Sequence, residues 1–253
     1  MNEFIMSAMS FVGKLIDIAT NTKTIYILGC FGAPMVTKNK TRYTKNNSFN
    51  ADRANVINAC SADTFGFDCV GLIKAVLWGW SKDVTKTYGG ATYKANGVPD
   101  VGANSMMNTY CKEVSTDFKN IVPGEAVWMD GHIGVYIGDG KVEATSKWTG
   151  KVLVSSLGNL GYKGEYTRNW TKHGKLPWID YSAVLGANTK PNEAVKVELP
   201  VDDGKRYHIA QKGQSLSKIG SLYGVPLKTM KALNPEVKAP FYIVRIGQKI
   251  RYK

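Results

Sequence analysis

The 253-residue sequence contains no apolar run near the 18 or so residues that a membrane-spanning helix requires, so we expect no insertion into a membrane. Cysteine is scarce as well. The four cysteines include no Cys-x-x-Cys pair, which excludes the usual zinc-binding spacing, and they are too few for a disulfide-dense miniprotein. We therefore expect neither a metal nor another cofactor.

The first residues also lack the features of a signal peptide. Glu3 stands in a region where a signal peptide carries Lys or Arg, and Lys14 and Asp17 interrupt the apolar stretch. We therefore expect synthesis in the cytosol, with reduced cysteines. The apolar residues recur instead at helical spacing, which predicts a helix packed on a core through Ile5, Met9, Val12, Ile16 and Ala19.

Acidic residues are few: 20 Asp and Glu stand against 33 Lys and Arg, a formal net charge of +13. Residues 205–253 hold 11 basic residues and one acid, a net charge of +10, whereas residues 1–180 carry +5. This excess implies an anionic partner. The stretch between them has no helical or strand period, which predicts two modules joined by a linker: 1–186, a linker over 187–204, and 205–253.

The first module begins with helical patterns and ends with strand patterns. Residues 68–80 place apolar side chains at helical spacing, and residues 126–129, 132–137 and 141–145 alternate with tight turns between them. Helices followed by an antiparallel meander predict an α+β fold.

Cys69 stands at the start of the predicted helix, directly after Asp68, which we expect to be its N-cap. The positive end of a helix dipole favours a thiolate over a thiol, so we predict that Cys69 is a nucleophile. The other cysteines lack this placement, and we expect small buried residues at Cys30, Cys60 and Cys111.

A thiol nucleophile needs a base, usually His, and a third group that orients the imidazole. His132 begins a predicted strand, whereas His173 lies in a polar stretch that we interpret as an exposed loop. With a two-residue turn at Asp139-Gly140, position 136 pairs with Glu143. Glu143 then shares a face with His132 and is the candidate orienting residue.

Three segments together resemble the NlpC/P60 family of papain-like cysteine peptidases: FDCVGL at 67–72, PGEAVW at 123–128 and GHIGVYIG at 131–138. Three others resemble endolysins of phages that infect Gram-positive bacteria: FGAPM at 31–35, EATSKW at 143–148 and NWTKHGKLP at 169–177. The resemblance implies that Cys69 is the nucleophile, His132 the base and Glu143 the third residue, with Tyr26 and Asp68 lining the oxyanion or substrate site. The spacing from His132 to Glu143 is 11 residues, where 12 is common in the family.

The second module has a strand, two short helical patterns and a final strand, and it resembles a LysM domain. The resemblance implies binding of N-acetylglucosamine-containing glycan through loops that include Gly213, Gln214, Ser215, Leu216, Asn234 and Pro235. Its positive charge suits a wall rich in anionic polymer, and no nucleic-acid motif accompanies it.

Together these features predict a phage-type peptidoglycan hydrolase that cuts a stem-peptide amide, most simply as a γ-D-glutamyl-diamino acid endopeptidase. It would be made in the cytoplasm of the infected host cell and act on the wall after release. The alternatives are an N-acetylmuramoyl-L-alanine amidase on the same machinery, a noncatalytic wall-binding protein and an acyltransferase.

Overall fold

A computed structural model describes residues 5–138, 141–146, 150–164, 166–185, 207–210, 215–237, 244 and 249–252. The chain divides into two compact units, Met1–Pro191 and Asn192–Lys253. The predicted linker over 187–204 lies outside the described residues.

Short helices separate the strands along the chain. The helices are α1 (Ala8–Asn21), α2 (Thr37–Lys45), α3 (Ser48–Ala51), α4 (Ala54–Ala59), α5 (Cys69–Leu77), α6 (Ala103–Ser105), α7 (Ser182–Leu185), α8 (Leu216–Leu222) and α9 (Leu227–Leu233). None of the helices in the described part of the chain is long and apolar enough to cross a membrane.

Most of the strands are short, and several have only two or three residues. They are β1 (Met6–Ser7), β2 (Thr24–Tyr26), β3 (Phe31–Pro34), β4 (Phe65–Phe67), β5 (Lys112–Ser115), β6 (Ala126–Met129), β7 (His132–Gly138), β8 (Lys141–Ser146), β9 (Lys151–Leu157), β10 (Thr167–Arg168), β11 (Lys172–Lys175), β12 (Ile179–Asp180), β13 (Tyr207–Ile209) and β14 (Lys249–Arg251).

A seven-stranded sheet forms the centre of the first unit, in the order β10-β9-β8-β7-β6-β11-β5. The predicted meander is confirmed as β6, β7 and β8, and the mixed α+β class is confirmed with it. Four strands that the sequence patterns did not predict extend it. On one side β11 pairs antiparallel with both β6 and β5, and on the other β9 pairs antiparallel with β8.

Each face of the sheet supports its own apolar cluster, because successive side chains of a strand point to opposite faces. Ile133 and Val135 of β7 pack with residues of α1 and α5. The other face of the strand contributes to a smaller cluster of Phe118, Ile121, Val127, Tyr136, Leu157 and Trp170. Helix α5 is therefore fixed against the middle of the sheet.

Helix α1 exists as predicted, and its predicted stripe is correct in part. Val12 is buried and Ala19 packs partly buried against the core, whereas Ile5 and Met9 are exposed. The other buried side chains of the helix are Ala8, Phe11, Leu15 and Ile18. Several periodic sets of apolar residues coexist in this segment, and only packing against the sheet selects between them.

A small three-stranded sheet leads the chain into α5. β4 lies in its middle, parallel to β2 and antiparallel to β3. β4 ends at Phe67, and after Asp68 the chain turns directly into α5. This strand-to-helix turn fixes where the first residue of the helix lies.

The second unit has the predicted order of strand, two helices and strand. β13 and β14 pair antiparallel, and a single small core contains Ala210, Leu216, Ile219, Met230, Val237, Val244 and Ile250. Leu222, the last residue of α8, and Tyr223 after it are exposed.

Candidate functional site

Cys69 is the first residue of α5, and its side chain is only 7% exposed. Asp68 is the N-cap, as predicted: one carboxylate oxygen accepts from the Gly71 N–H and the other from the Gly29 N–H at 2.7 Å. The carboxylate is buried and both of its oxygens are bonded to backbone, so it fixes the start of α5 and the loop before β3. Its predicted contact with substrate stays a prediction.

The structure brings Cys69 to the beginning of β7. Cys69 and Ile133 pack in the same buried cluster, and the Ile133 backbone lowers the pKa of the Cys69 thiol. His132, the first residue of β7, directly precedes Ile133 and is half-buried. The predicted nucleophile and the predicted base are therefore carried by two elements that meet at one place.

Burial, and after it the Asp68 carboxylate, raises the pKa of the Cys69 thiol to about 11, although the Ile133 backbone acts to lower it. We had expected the helix dipole to favour the thiolate. The dipole acts here through a helix end that already carries a buried carboxylate as its cap, and that carboxylate opposes a second negative charge. At neutral pH the group is a thiol, so its reaction requires a base.

Tyr26 lies next to this pair at the end of β2. Burial raises the pKa of its hydroxyl, and negative charge on Cys69 or Asp68 raises it further, so the hydroxyl stays protonated. The Arg53 guanidinium lies 5.9 Å from the Tyr26 ring centroid and 5.5 Å from that of Phe49, and it donates to the Tyr26 carbonyl. Sequence reasoning missed Arg53 and Phe49, because no pattern in residues 48–59 connects them to Cys69.

The predicted register of Glu143 is wrong. Gly138 pairs with Lys141, but the register then shifts, so that Tyr136 lies opposite Val142 and Val135 lies opposite Glu143. The shift occurs at Gly138, whose positive φ of +97° suits a β-bulge. The backbone therefore does not support the reasoning that placed Glu143 on the face of His132, and its side chain lies outside the described residues.

His173 was predicted in an exposed loop, and this was also wrong. It lies in β11, is 4% exposed, and forms an ion pair with the buried Glu125 through Nδ1. Its Nε2 lies 2.9 Å from the Asp117 carbonyl. Both ring nitrogens are thus engaged inside the protein, which indicates a structural role rather than that of a base for Cys69.

The remaining cysteines have no disulfide partners. Cys30 and Cys111 are buried, as expected, and burial raises the pKa of their thiols to about 11 and about 12. Cys60 is half-buried rather than buried. Within the described part of the chain, no three His, Cys, Asp or Glu side chains lie together as a metal site.

Of the predicted glycan-binding residues, Leu216 and Asn234 belong to the interior of the second unit. The Asn234 amide donates to the carbonyls of Met230 and Arg251 and accepts from the Arg251 N–H, so it ties the end of α9 to β14. Ser215 is half-buried and Pro235 is exposed. Gly213 and Gln214 lie outside the described residues.

Comparison with protein families finds a match over residues 208–253, to the LysM domain. Residues 208–253 are a LysM domain. Its match begins one residue after the start of β13 and includes both helices and β14. Within this LysM domain, the side chain of Asn234 bonds to the backbone of Met230 and Arg251, and its predicted contact with glycan stays a prediction.

Two solved structures, NlpC2 and NlpC1 from Trichomonas vaginalis, are similar to this chain at 13% and 14% sequence identity with TM-scores of 0.35 and 0.32. Each comparison covers 67% of this chain and 46% or 44% of the other. The chain therefore spans less than half the length of these structures. Comparison with curated proteins finds no match.

Proposed function

We propose that this protein is a peptidoglycan hydrolase, in which the first unit cuts an amide of the stem peptide and the LysM domain holds the enzyme on wall glycan. The observation that carries the proposal is the junction of α5 and β7. There Cys69 packs in one buried cluster with Ile133, the residue that follows His132. A buried thiol at the start of a helix that packs on the strand carrying a histidine suits acyl transfer through a thioester.

The chemistry follows from the protonation states. Because Cys69 is a thiol at neutral pH, His132 takes its proton as the sulfur attacks the amide carbon. We assign the Cys69 N–H and the protonated Tyr26 hydroxyl as donors to the resulting oxyanion. His132 then gives the proton to the leaving amine, and a thioester remains. Water hydrolyses the thioester and restores the thiol.

The surroundings of Cys69 suit an anionic peptide. Arg53 is held over the rings of Tyr26 and Phe49, and a guanidinium fixed in this way can bind a carboxylate through paired hydrogen bonds. Stem peptides carry such carboxylates. We propose cleavage of the γ-D-glutamyl-diamino acid bond, with the sugar–peptide bond of an N-acetylmuramoyl-L-alanine amidase as the alternative.

The wall-binding role rests on the LysM domain and on charge. Residues 205–253 carry a net charge of +10, which suits the anionic polymers of a Gram-positive wall. We propose that the protein is a phage endolysin, made in the cytoplasm of the infected cell and acting on the wall after release.

The test compares Cys69→Ala with Cys60→Ala, a matched change at a half-buried cysteine. On purified Gram-positive walls, Cys69→Ala should bind normally and release no fragments, whereas Cys60→Ala should lyse walls at nearly the parental rate. Mass spectrometry of the released fragments identifies the bond that is cut. Fragment release by Cys69→Ala at the parental rate would refute the mechanism. Wall binding without lysis by the parental protein would indicate a noncatalytic wall-binding protein.

A further inference from the structure

A buried indole lies against the imidazole of His132. The ring centroids of His132 and Trp170 are 5.3 Å apart and the ring planes differ by 12°, which is the geometry of an offset stack. Trp170 is 3% exposed and lies between β10 and β11, far along the chain from β7.

Trp170 is held firmly in place. Its backbone N–H donates to the Asn159 side chain at 2.7 Å, and its carbonyl accepts from the same amide at 2.9 Å. Its side chain packs in the cluster that contains Tyr136 and Leu157. Because the indole of Trp170 is already fixed, stacking against it restricts the plane of the His132 imidazole, and Trp170 itself does not have to become ordered.

The stack with Trp170 restricts the plane of the His132 ring. We propose that Trp170 is a positioning residue for His132, whose indole face fixes the plane of the imidazole and stabilises its protonated form during proton transfer. The inference rests on the proposed function, since it assigns Trp170 to the reaction of Cys69 and His132.

The stabilisation of protonated His132 by Trp170 follows from the quadrupole of the indole ring. A cation over the face of an indole is attracted to it, and His132 becomes a cation when it takes the proton of Cys69. The Arg168 guanidinium lies 5.3 Å from the Trp170 ring centroid and donates a hydrogen bond to the sulfur of Met129. Met129 is the residue of β6 that lies opposite His132 of β7 in the sheet. Arg168 of β10 is a charged group on this side of Trp170, and Cys69 of α5 becomes charged when it gives up its proton. Arg168 opposes the imidazolium and favours the thiolate.

The first test compares Trp170→Phe, which keeps a ring face, with Trp170→Met, which removes it. Trp128→Met, on the strand next to β7, controls for the loss of an indole. We expect kcat on walls to fall at least tenfold in Trp170→Met with KM unchanged, and to recover most of its value in Trp170→Phe. The NMR titration of the His132 ring should shift to lower pH by about half a unit in Trp170→Met. A folded Trp170→Met with the parental kcat and the parental titration would overturn the proposal.

The second test uses a change that preserves the fold, and it applies if Trp170→Met does not fold. Incorporation of fluorinated tryptophans weakens the negative face of the indole with little change in size. The His132 titration should shift progressively to lower pH with each added fluorine, and the rate of Cys69 alkylation near neutral pH should change in step. A titration that is independent of fluorination would overturn the proposal. Both measurements need no substrate, so they remain valid if wall cleavage itself is not observed.

Discussion

The substitution His173→Gln should destabilise the first unit by about 3–5 kcal/mol, because it leaves the Glu125 carboxylate buried without its cation. Both partners are almost fully buried, with side-chain exposures of 5%. The pair joins β11 to the turn before β6, next to the centre of the seven-stranded sheet. The loss therefore weakens the strand that joins β6 to β5.

The stabilisation should depend on pH with a defined sign. Burial lowers the pKa of His173, but the hydrogen bonds to Glu125 and to the Asp117 carbonyl, with the charges of both acids, raise it above its ordinary value. The imidazolium is the form that can donate to both acceptors. Its stabilising effect is therefore complete below the unfolded pKa of about 6.5 and is lost as pH rises through the raised folded pKa. Cys111 stays neutral in this range because burial raises the pKa of its thiol to about 12.

Thermal unfolding by circular dichroism between pH 5.5 and 9 measures this effect. A loss of 3–5 kcal/mol corresponds to a decrease in Tm of about 6–20 °C in a domain of this size. The matched control is Glu113→Gln, which breaks the ion pair between Glu113 and Lys175, a residue of the same strand as His173. Because the Glu113 side chain is 69% exposed, we expect the free energy of unfolding to fall by less than about 1 kcal/mol. Parental Tm for His173→Gln at pH 6, or a difference that stays constant up to pH 9, would refute the reasoning.

Three further predictions concern other contacts. Asp68→Asn removes the like charge beside Cys69, so iodoacetamide should alkylate Cys69 faster at pH 7.5. The rate should rise by about tenfold for each unit that the pKa of Cys69 falls. An unchanged rate would contradict the conclusion that the Asp68 carboxylate raises this pKa. Asn234→Ala removes the acceptor of the Arg251 N–H, so hydrogen exchange at the Arg251 amide should become faster and the LysM domain should be destabilised by about 1–3 kcal/mol. Lys228→Ala, at an exposed position of α9, should change neither the exchange rate nor the stability. Truncation after residue 186 should leave a folded hydrolase that binds walls poorly, and high salt should narrow its difference from the full chain; equal wall binding by both forms would remove the targeting role from residues 205–253.

The sequence patterns predict the central elements because local chemistry determines them. Asp68 caps α5 through its own side chain, and the glycine turns on either side of β7 define the meander. Tertiary contacts determine what the patterns miss. Residues 172–175 are polar, and only the buried Glu125 explains why His173 lies in an interior strand.

In the candidate site, too, local chemistry determines what the sequence predicts and tertiary contacts determine what it misses. Cys69 and His132 could be recognised from a helix start and a strand start, but the bulge at Gly138 is invisible in the alternation of residues and changes the position of Glu143. Trp170 and Arg53 reach the site from segments with no period in common with β7 or α5. Their contacts follow from packing, which a single sequence does not record.

The pairing of β1 with β12 has a consequence for how the chain folds during synthesis. Met6 lies beside Ile179 in a parallel pair, so the unit is closed by its own two ends. β11, which is made late, inserts between β6 and β5, which are made earlier. A nascent chain that stops before residue 172 therefore contains Cys69 and His132 but leaves two strand edges open. Such long-range pairing slows folding, and we expect the first unit to gain its structure in one late step of synthesis rather than gradually.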